Sequence, residues 1–411
     1  MNTGESTSEN KGNRFHRYLN YVSAIIRAYN GKEPFHLYLK KYFSQNKKHG
    51  SGDRKKITSL CYGYFRLGFG VTNGIPLTEK ILLGFFLIEK EKSLFLEQLK
   101  PEWNTHILLN ISEKIEMTKN IFDPNKIFPF PDELSNEINF QKFCLSYLIQ
   151  PKLFIRVRPG FKNAVLEKLQ SANITYNQIN AICFSFSNTE KVSDILDIDN
   201  EAVIQDYNSQ NTLNSLSLHL PVRQAGIVHQ ATPISVWDCC AGSGGKSILV
   251  YDLLKNINLT VSDTRKNILQ NLKKRFTKAG IKNYQSFVAD LTVLPPLRGV
   301  RGRPFFDLII ADVPCSGSGT WSRTPEQLSF FSKEKIMMYS DLQKKIVTNA
   351  VNFLNENGHL LYITCSVFKK ENEEIVDFIC KKKNFELVES SYLNGYGIQA
   401  DTLFTALLKK N

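Results

Sequence analysis

The spacing of apolar positions changes along this chain. From Asn13 to about Phe128 the spacing is helical. In "NRFHRYLNYVSAIIRAYN", Phe15, Leu19, Val22 and Ile26 fall on one face. "DRKKITSLCYGYFRLG" predicts another helix, with Asp53 as its N-cap and a stop near Gly68 and Gly70. "LTEKILLGFFLIEKEKSLFLEQL" reads as one or two more. The Pro-rich stretch "FDPNKIFPFPDEL", residues 122–134, then breaks the pattern and marks a domain boundary. Residues 129–201 read as a small α/β module. "LFIRVRPG" alternates as a strand, "KNAVLEKLQSA" is helical and "AICFSFS" is a second strand. Residues 1–12 are polar and expected to form a disordered tail.

From about Ala202 to residue 411, strands and helices alternate. "SVWDC", "LTVSD", "SFVAD", "FDLIIADVP" and "HLLYITCS" are the strands. Helices are expected at Gly245–Asn256, Lys266–Ala279, Tyr339–Asn355 and Glu371–Lys382, with "FELV" and "LFTALLK" as a closing hairpin. This alternation predicts an α/β fold, a doubly wound and largely parallel sheet. The whole chain then comprises an all-α part (13–128), the small module and the α/β domain.

Bulk properties narrow the function. The net charge of +13 and pI near 9.2 point to a polyanionic partner, above all nucleic acid. The longest apolar run, Ile81 to Ile88, is too short to span a bilayer and reads as a buried helix. Eight cysteines without C-x-x-C spacing give neither a disulfide framework nor a zinc site. Reduced thiols and a polar start without an apolar leader predict a cytoplasmic protein. No membrane and no metal are expected, and a monomer is.

The stretch "VWDCCAGSGGKS", Val236 to Ser247, imitates a phosphate-binding loop. G-x-x-x-x-G-K-[ST] requires glycine at position 240, and the chain has Cys240. In doubly wound sheets ligands bind beyond the carboxyl ends of the strands. Asp238, Asp263, Asp290 and Asp312 all fall at such ends. A lone strand-end Asp is usually a helix cap or turn former. Four in succession after a glycine turn predict a nucleoside site. Asp263 is placed to accept from both ribose hydroxyls and Asp290 from an exocyclic amine, while Lys246 orients groups at the helix start. A carboxylate-lined pocket also suits the sulfonium of S-adenosyl-L-methionine. "ADVPCSGSGT" and "YITCSVFKKENEEIV" place Cys315 and Cys365 after adjacent strands. A buried cysteine is ordinarily an inert small hydrophobe. Two at the same end of the sheet suit covalent catalysis, in which a thiolate adds to C6 of cytosine and makes C5 nucleophilic. Asp312 is placed to act as the acid at N3.

"CAGSGGK" (Cys240–Lys246), "DVPCSGSGT", "TCS" followed by "ENE" (Glu371–Glu373), and "VIQDYNSQ" (Val203–Gln210) occur in the order found in the RsmB/Sun family. These are S-adenosylmethionine-dependent RNA cytosine-5 methyltransferases with a Rossmann-like core, and the chain resembles them over its C-terminal half. The resemblance implies that Cys365 is the nucleophile and Cys315 the releasing cysteine. It implies that Cys240, Ala241, Gly242, Ser243, Gly244, Gly245, Lys246, Asp263, Asp290 and Asp312 line the cofactor and base pocket. Ser243 stands where the family usually has proline. The N-terminal helices resemble, less specifically, the family's NusB-like RNA-binding domain. The segment 129–201 is similar to its small RRM-like module, where Phe154, Arg156 and Arg158 would contact RNA. The NusB likeness tilts the substrate towards ribosomal RNA, with transfer RNA open. The competing readings are a non-catalytic RNA-binding assembly factor, which would not require both cysteines, and a P-loop NTPase, which lacks its first glycine.

Overall fold

The computed structural model describes residues 5–216, 232–254, 256–293 and 305–411, with side chains from Arg14 onward. These residues form two compact units. One takes in residues up to 132, 139–150 and 321–332; the other takes in 133–138, 151–320 and 333–411.

The first unit is helical. Its main helices are Glu5–Ala28, Phe35–Gln45, Ser51–Arg66 and Leu77–Ile88. The backbone is helical from Glu5, although residues up to 12 were expected to be disordered. Extending an existing helix needs no new nucleus, so the polar start can follow the packed part. Val22, Ile25, Phe35, Ile57, Leu60, Ile81 and Phe85 are fully buried. Gly63 and Gly84 let two of these helices touch backbone to backbone: a Cβ on Gly84 would sit 2.3 Å from the Gly63 carbonyl oxygen. Asp53 is not the N-cap. Gly50 is, and Asp53 lies three residues inside, accepting the Gly50 N–H at 3.3 Å. The helix starts earlier than expected because glycine readily takes the cap conformation and the carboxylate suits the first turn. Arg66 is buried and donates to the carbonyl oxygens of Tyr147 and Ser322 and to Gln150 Oε1.

The second unit holds two sheets. The small one contains β1 (Leu153–Val157), β2 (Asn177–Gln178), β3 (Cys183–Phe186) and β4 (Ala202–Ile204), in the order β2-β3-β1-β4. The large one contains β5 (Ile234–Asp238), β6 (Ile257–Asp263), β7 (Tyr284–Val288), β8 (Phe306–Asp312), β9 (Leu354–Thr364), β10 (Phe385–Leu393) and β11 (Leu403–Lys410). Its order is β10-β11-β9-β8-β5-β6-β7. β5 to β9 are mutually parallel, and β11 and β10 add antiparallel. This is the doubly wound sheet that the alternation predicted. Its order reverses between β5 and β8, and there the crevice opens. The helix expected at Tyr339–Asn355 runs instead from Glu334 to Ala350, and β9 begins at Leu354. Apolar Val351 and Phe353 carry the chain straight from helix to strand.

The small sheet does not offer Phe154, Arg156 and Arg158 to RNA. These side chains are 2%, 2% and 7% exposed. Phe154 packs with Cys183, Ala400 and Tyr207. Arg156 Nη1 and Arg158 Nη2 donate to the two oxygens of Asp252, at 2.7 and 2.8 Å. Alternating "LFIRVRP" looks half solvated, but both faces of β1 are covered, and the arginines neutralise a buried carboxylate on the helix Gly245–Leu254.

Candidate active site

β5 ends at Asp238, and the chain turns through Cys239–Gly244 into the helix Gly245–Leu254. Gly242 and Gly244 have φ of 54° and 88°, values that favour glycine. Nothing lies within 4 Å of a Cβ built on Gly242 or Gly245, so the loop opens onto free space. That space is a cavity of 830 Å³. Cys240, Ala241, Gly242, Ser243, Gly245, Lys246, Asp263, Asp290, Asp312, Cys315 and Cys365 all line it. Gly244 does not. A Cβ there would meet Phe276 at 2.8 Å and Leu272 at 3.0 Å, so this glycine seats the loop on the helix Lys266–Lys278.

The carboxylates differ in use. Asp238 lies beneath the loop, fully buried; Ser247 Oγ donates to its Oδ2 at 2.6 Å, and its Oδ1 has no partner among the described residues. Burial pushes its carboxyl up to about 7. Asp263 is already engaged. Its Oδ1 accepts from the Arg265 N–H and Nε, and its Oδ2 from Gly242 N–H and Arg265 Nη2, at 2.9–3.1 Å. Burial alone would raise this carboxyl, but the Arg265 bonds outweigh it and hold it below the ordinary value. The expected ribose acceptor therefore faces the cavity with an arginine folded over it. Asp290 is exposed and accepts from the N–H and hydroxyl of Thr292. Lys246 Nζ donates to Asp312 Oδ2 at 3.1 Å and to Ser209 Oγ at 2.9 Å.

The two cysteine loops meet. Cys315 Sγ and Cys365 Sγ are 3.2 Å apart, in hydrogen-bonding contact. Contact with Cys365, then burial, then the charge of Glu371 push the Cys315 thiol well up. Glu371 is fully buried between the loops. It accepts from Ser316 N–H at 2.8 Å, Gln343 Nε2 at 3.1 Å and Ser366 Oγ at 3.0 Å, while Gln343 also donates to the Pro314 carbonyl oxygen. Burial raises its carboxyl. Gly319 N–H donates to the Cys365 carbonyl oxygen, and Ser318 Oγ accepts from Val367 N–H. Sequence reasoning did not single out Arg265, Ser209 or Glu371. Glu371 and Ser209 sit inside quoted motifs, but only the fold shows what they hold.

A seven-stranded, doubly wound sheet with this crevice defines a Rossmann-like methyltransferase fold. The crystal structure of PH0851 shares the fold across 92% of this chain and 95% of its own, with a TM-score of 0.64 at 18% identity. Residues 229–407 match the family described as 16S rRNA methyltransferase RsmB/F. A mouse 28S rRNA (cytosine-C(5))-methyltransferase is 29% identical over 42% of this chain and 21% of its own length. The tRNA (cytosine(49)-C(5))-methyltransferase of Pyrococcus abyssi is 29% identical over 37% of this chain and 48% of its own. The chain thus aligns with less than half the length of either relative.

Proposed function

We propose that the protein is an RNA cytosine-5 methyltransferase that uses S-adenosyl-L-methionine. The observation that carries this reading is the pair of sulfurs 3.2 Å apart, lining the cavity that opens from the glycine loop. The residues present fit the cofactor. Gly242 and Gly245 leave a cradle that side chains would fill, and Asp263, Asp290 and Asp312 give a carboxylate lining suited to a cation. Bound there, the cofactor supplies an electrophilic methyl group.

The chain's own residues do the rest. Cys365 is the nucleophile: its sulfur bonds to C6 of the target cytosine, and the electron pair of the C5–C6 double bond becomes available at C5. Asp312, oriented by Lys246, handles the proton at N3 during the addition. Cys315, 3.2 Å from Cys365, is then the sulfur left free beside the bonded base. Cys315, its thiol proton released to bulk water, takes the C5 proton, and the N3 proton returns to Asp312. The C5–C6 double bond re-forms, and the C6–Sγ bond to Cys365 breaks.

The net charge of +13 supports an RNA substrate. The rRNA methyltransferase family match favours ribosomal RNA, and the archaeal tRNA relative keeps transfer RNA as the alternative. The helical unit is read as the NusB-like RNA-binding part, and the protein as a cytoplasmic monomer. Among the described residues no helix is long and apolar enough to cross a membrane, and no group of three or more potential metal ligands occurs.

A denaturing gel with RNA and cofactor tests the cysteine roles. Cys315→Ala should stall as a slow-migrating protein–RNA band, whereas Cys365→Ala and the double variant should show none. A band in Cys365→Ala alone would reverse the roles. No adduct in any variant, with no methyl transfer by wild type on total RNA, would leave a binding factor.

A further inference from the structure

The glycine loop is braced from behind. Between Gly242 and Gly244, Ser243 has no ring to fix its backbone. Arg275, on the helix Lys266–Lys278, holds it from outside: Nη1 donates to both the carbonyl and the hydroxyl oxygen of Ser243, each at 3.1 Å. The other edge of the same guanidinium is anchored. Nε and Nη2 donate to Asp199 Oδ1 at 2.9 and 2.7 Å. Asp199 precedes β4 in the small module and has φ of 76°, which non-glycine residues rarely adopt. Arg158 Nη1 holds this turn through the Asp199 carbonyl oxygen at 3.2 Å and reaches the Ala279 carbonyl oxygen at 2.8 Å.

We propose that Arg275 is a positioning residue for the cofactor loop, and that Asp199 makes the small module a supporting part of the cofactor site. This rests on reading the cavity as that site. The argument is geometric. The Ser243 carbonyl belongs to the peptide that joins it to Gly244, and Gly242 on its other side donates to Asp263 Oδ2 at 3.0 Å. Freeing the carbonyl lets that peptide rotate, and the cavity wall formed by Gly242, Ser243 and Gly245 moves with it.

The test is calorimetric binding of S-adenosylhomocysteine to the full chain. Arg275→Ala should weaken binding about tenfold, as expected for losing charge-assisted hydrogen bonds that fix a loop. Turnover at saturating cofactor should change less than about twofold. Adding Ser243→Pro should recover most of the affinity. A proline ring fixes φ at this position, which removes part of the loop freedom that losing the external brace allows. Asp199→Ala should weaken binding in the same direction and add little to Arg275→Ala, because the two act through one contact. Wild-type affinity in Arg275→Ala would overturn the brace, as would an equal loss with and without Ser243→Pro. A wild-type protein that fails to bind S-adenosylhomocysteine would instead overturn the cofactor reading itself.

Discussion

Gly319→Ala tests how closely the two cysteine loops must fit. Gly319 lies in the "SGSGT" loop that follows Cys315. A Cβ at this position would sit 2.0 Å from the Thr402 carbonyl oxygen and 3.1 Å from that of Cys365. Ordinary contact begins at 3.4 Å, so the backbone must open by about 1.4 Å. The displacement cannot stay local. Gly319 N–H donates to the Cys365 carbonyl oxygen and Gly319 O accepts from Thr402 N–H, each at 2.9 Å. A shift at Gly319 is passed to the peptide of Cys365, the proposed nucleophile. Misplacing a reacting group by about 1 Å costs roughly a hundredfold in rate, or about 2.7 kcal/mol of barrier. Single-turnover methyl transfer to RNA should therefore slow by about that factor. S-adenosylhomocysteine affinity should hold, because the glycine loop is untouched. A rate within threefold of wild type in a normally folded variant would show that the loops are not coupled through this contact.

Asp252→Ala should leave Arg156 and Arg158 buried without their carboxylate and destabilise the second unit by about 3–5 kcal/mol, read in urea unfolding. Asp238→Asn should act only above acid pH. The folded-state carboxyl is raised by burial from its ordinary value of 3.8 to about 7, so its cost to stability grows as pH rises through that window and is absent below it. The variant should accordingly melt higher than wild type at pH 8 and no higher at pH 4, and equal gains at both would refute the assignment.

Much of the α/β domain was legible because parallel strands that end in Asp or Cys, each followed by a polar or glycine turn, announce their own topology. Cys315 and Cys365 are 50 residues apart in sequence, yet β8 and β9 pair directly, so the order of strands was enough to join them. Partners set by side-chain packing were not legible. Nothing near Arg156 and Arg158 in sequence reveals Asp252, whose capture turns an RNA-facing pattern into a buried ion pair. Asp263 was correctly placed at a strand end, but Arg265, two residues on, fills the acceptor positions that a free strand end would have offered. Asp53 shows the smaller error. The sequence contains both halves of a capping arrangement, and only the backbone at Gly50 tells which residue is the cap.

The helical unit includes residues 321–332, a segment that leaves the Cys315 loop immediately after Thr320. Trp321 packs near Phe128, and Ser322 offers its carbonyl to the buried Arg66. On the ribosome this has a consequence for timing. Residues up to 150 of the helical unit are made before the α/β domain, but the unit lacks one of its pieces until synthesis has passed residue 332. At roughly 5–20 residues per second, the wait after residue 150 is on the order of 10–40 s. Throughout that interval Arg66 lacks one of its acceptors, the Ser322 carbonyl, and the Phe128 surface lacks its indole cover. An amino-terminal fragment ending before residue 321 should remain permanently in that state, binding chaperones and apolar dyes, and a synthetic 321–332 peptide added in trans should quench the dye signal.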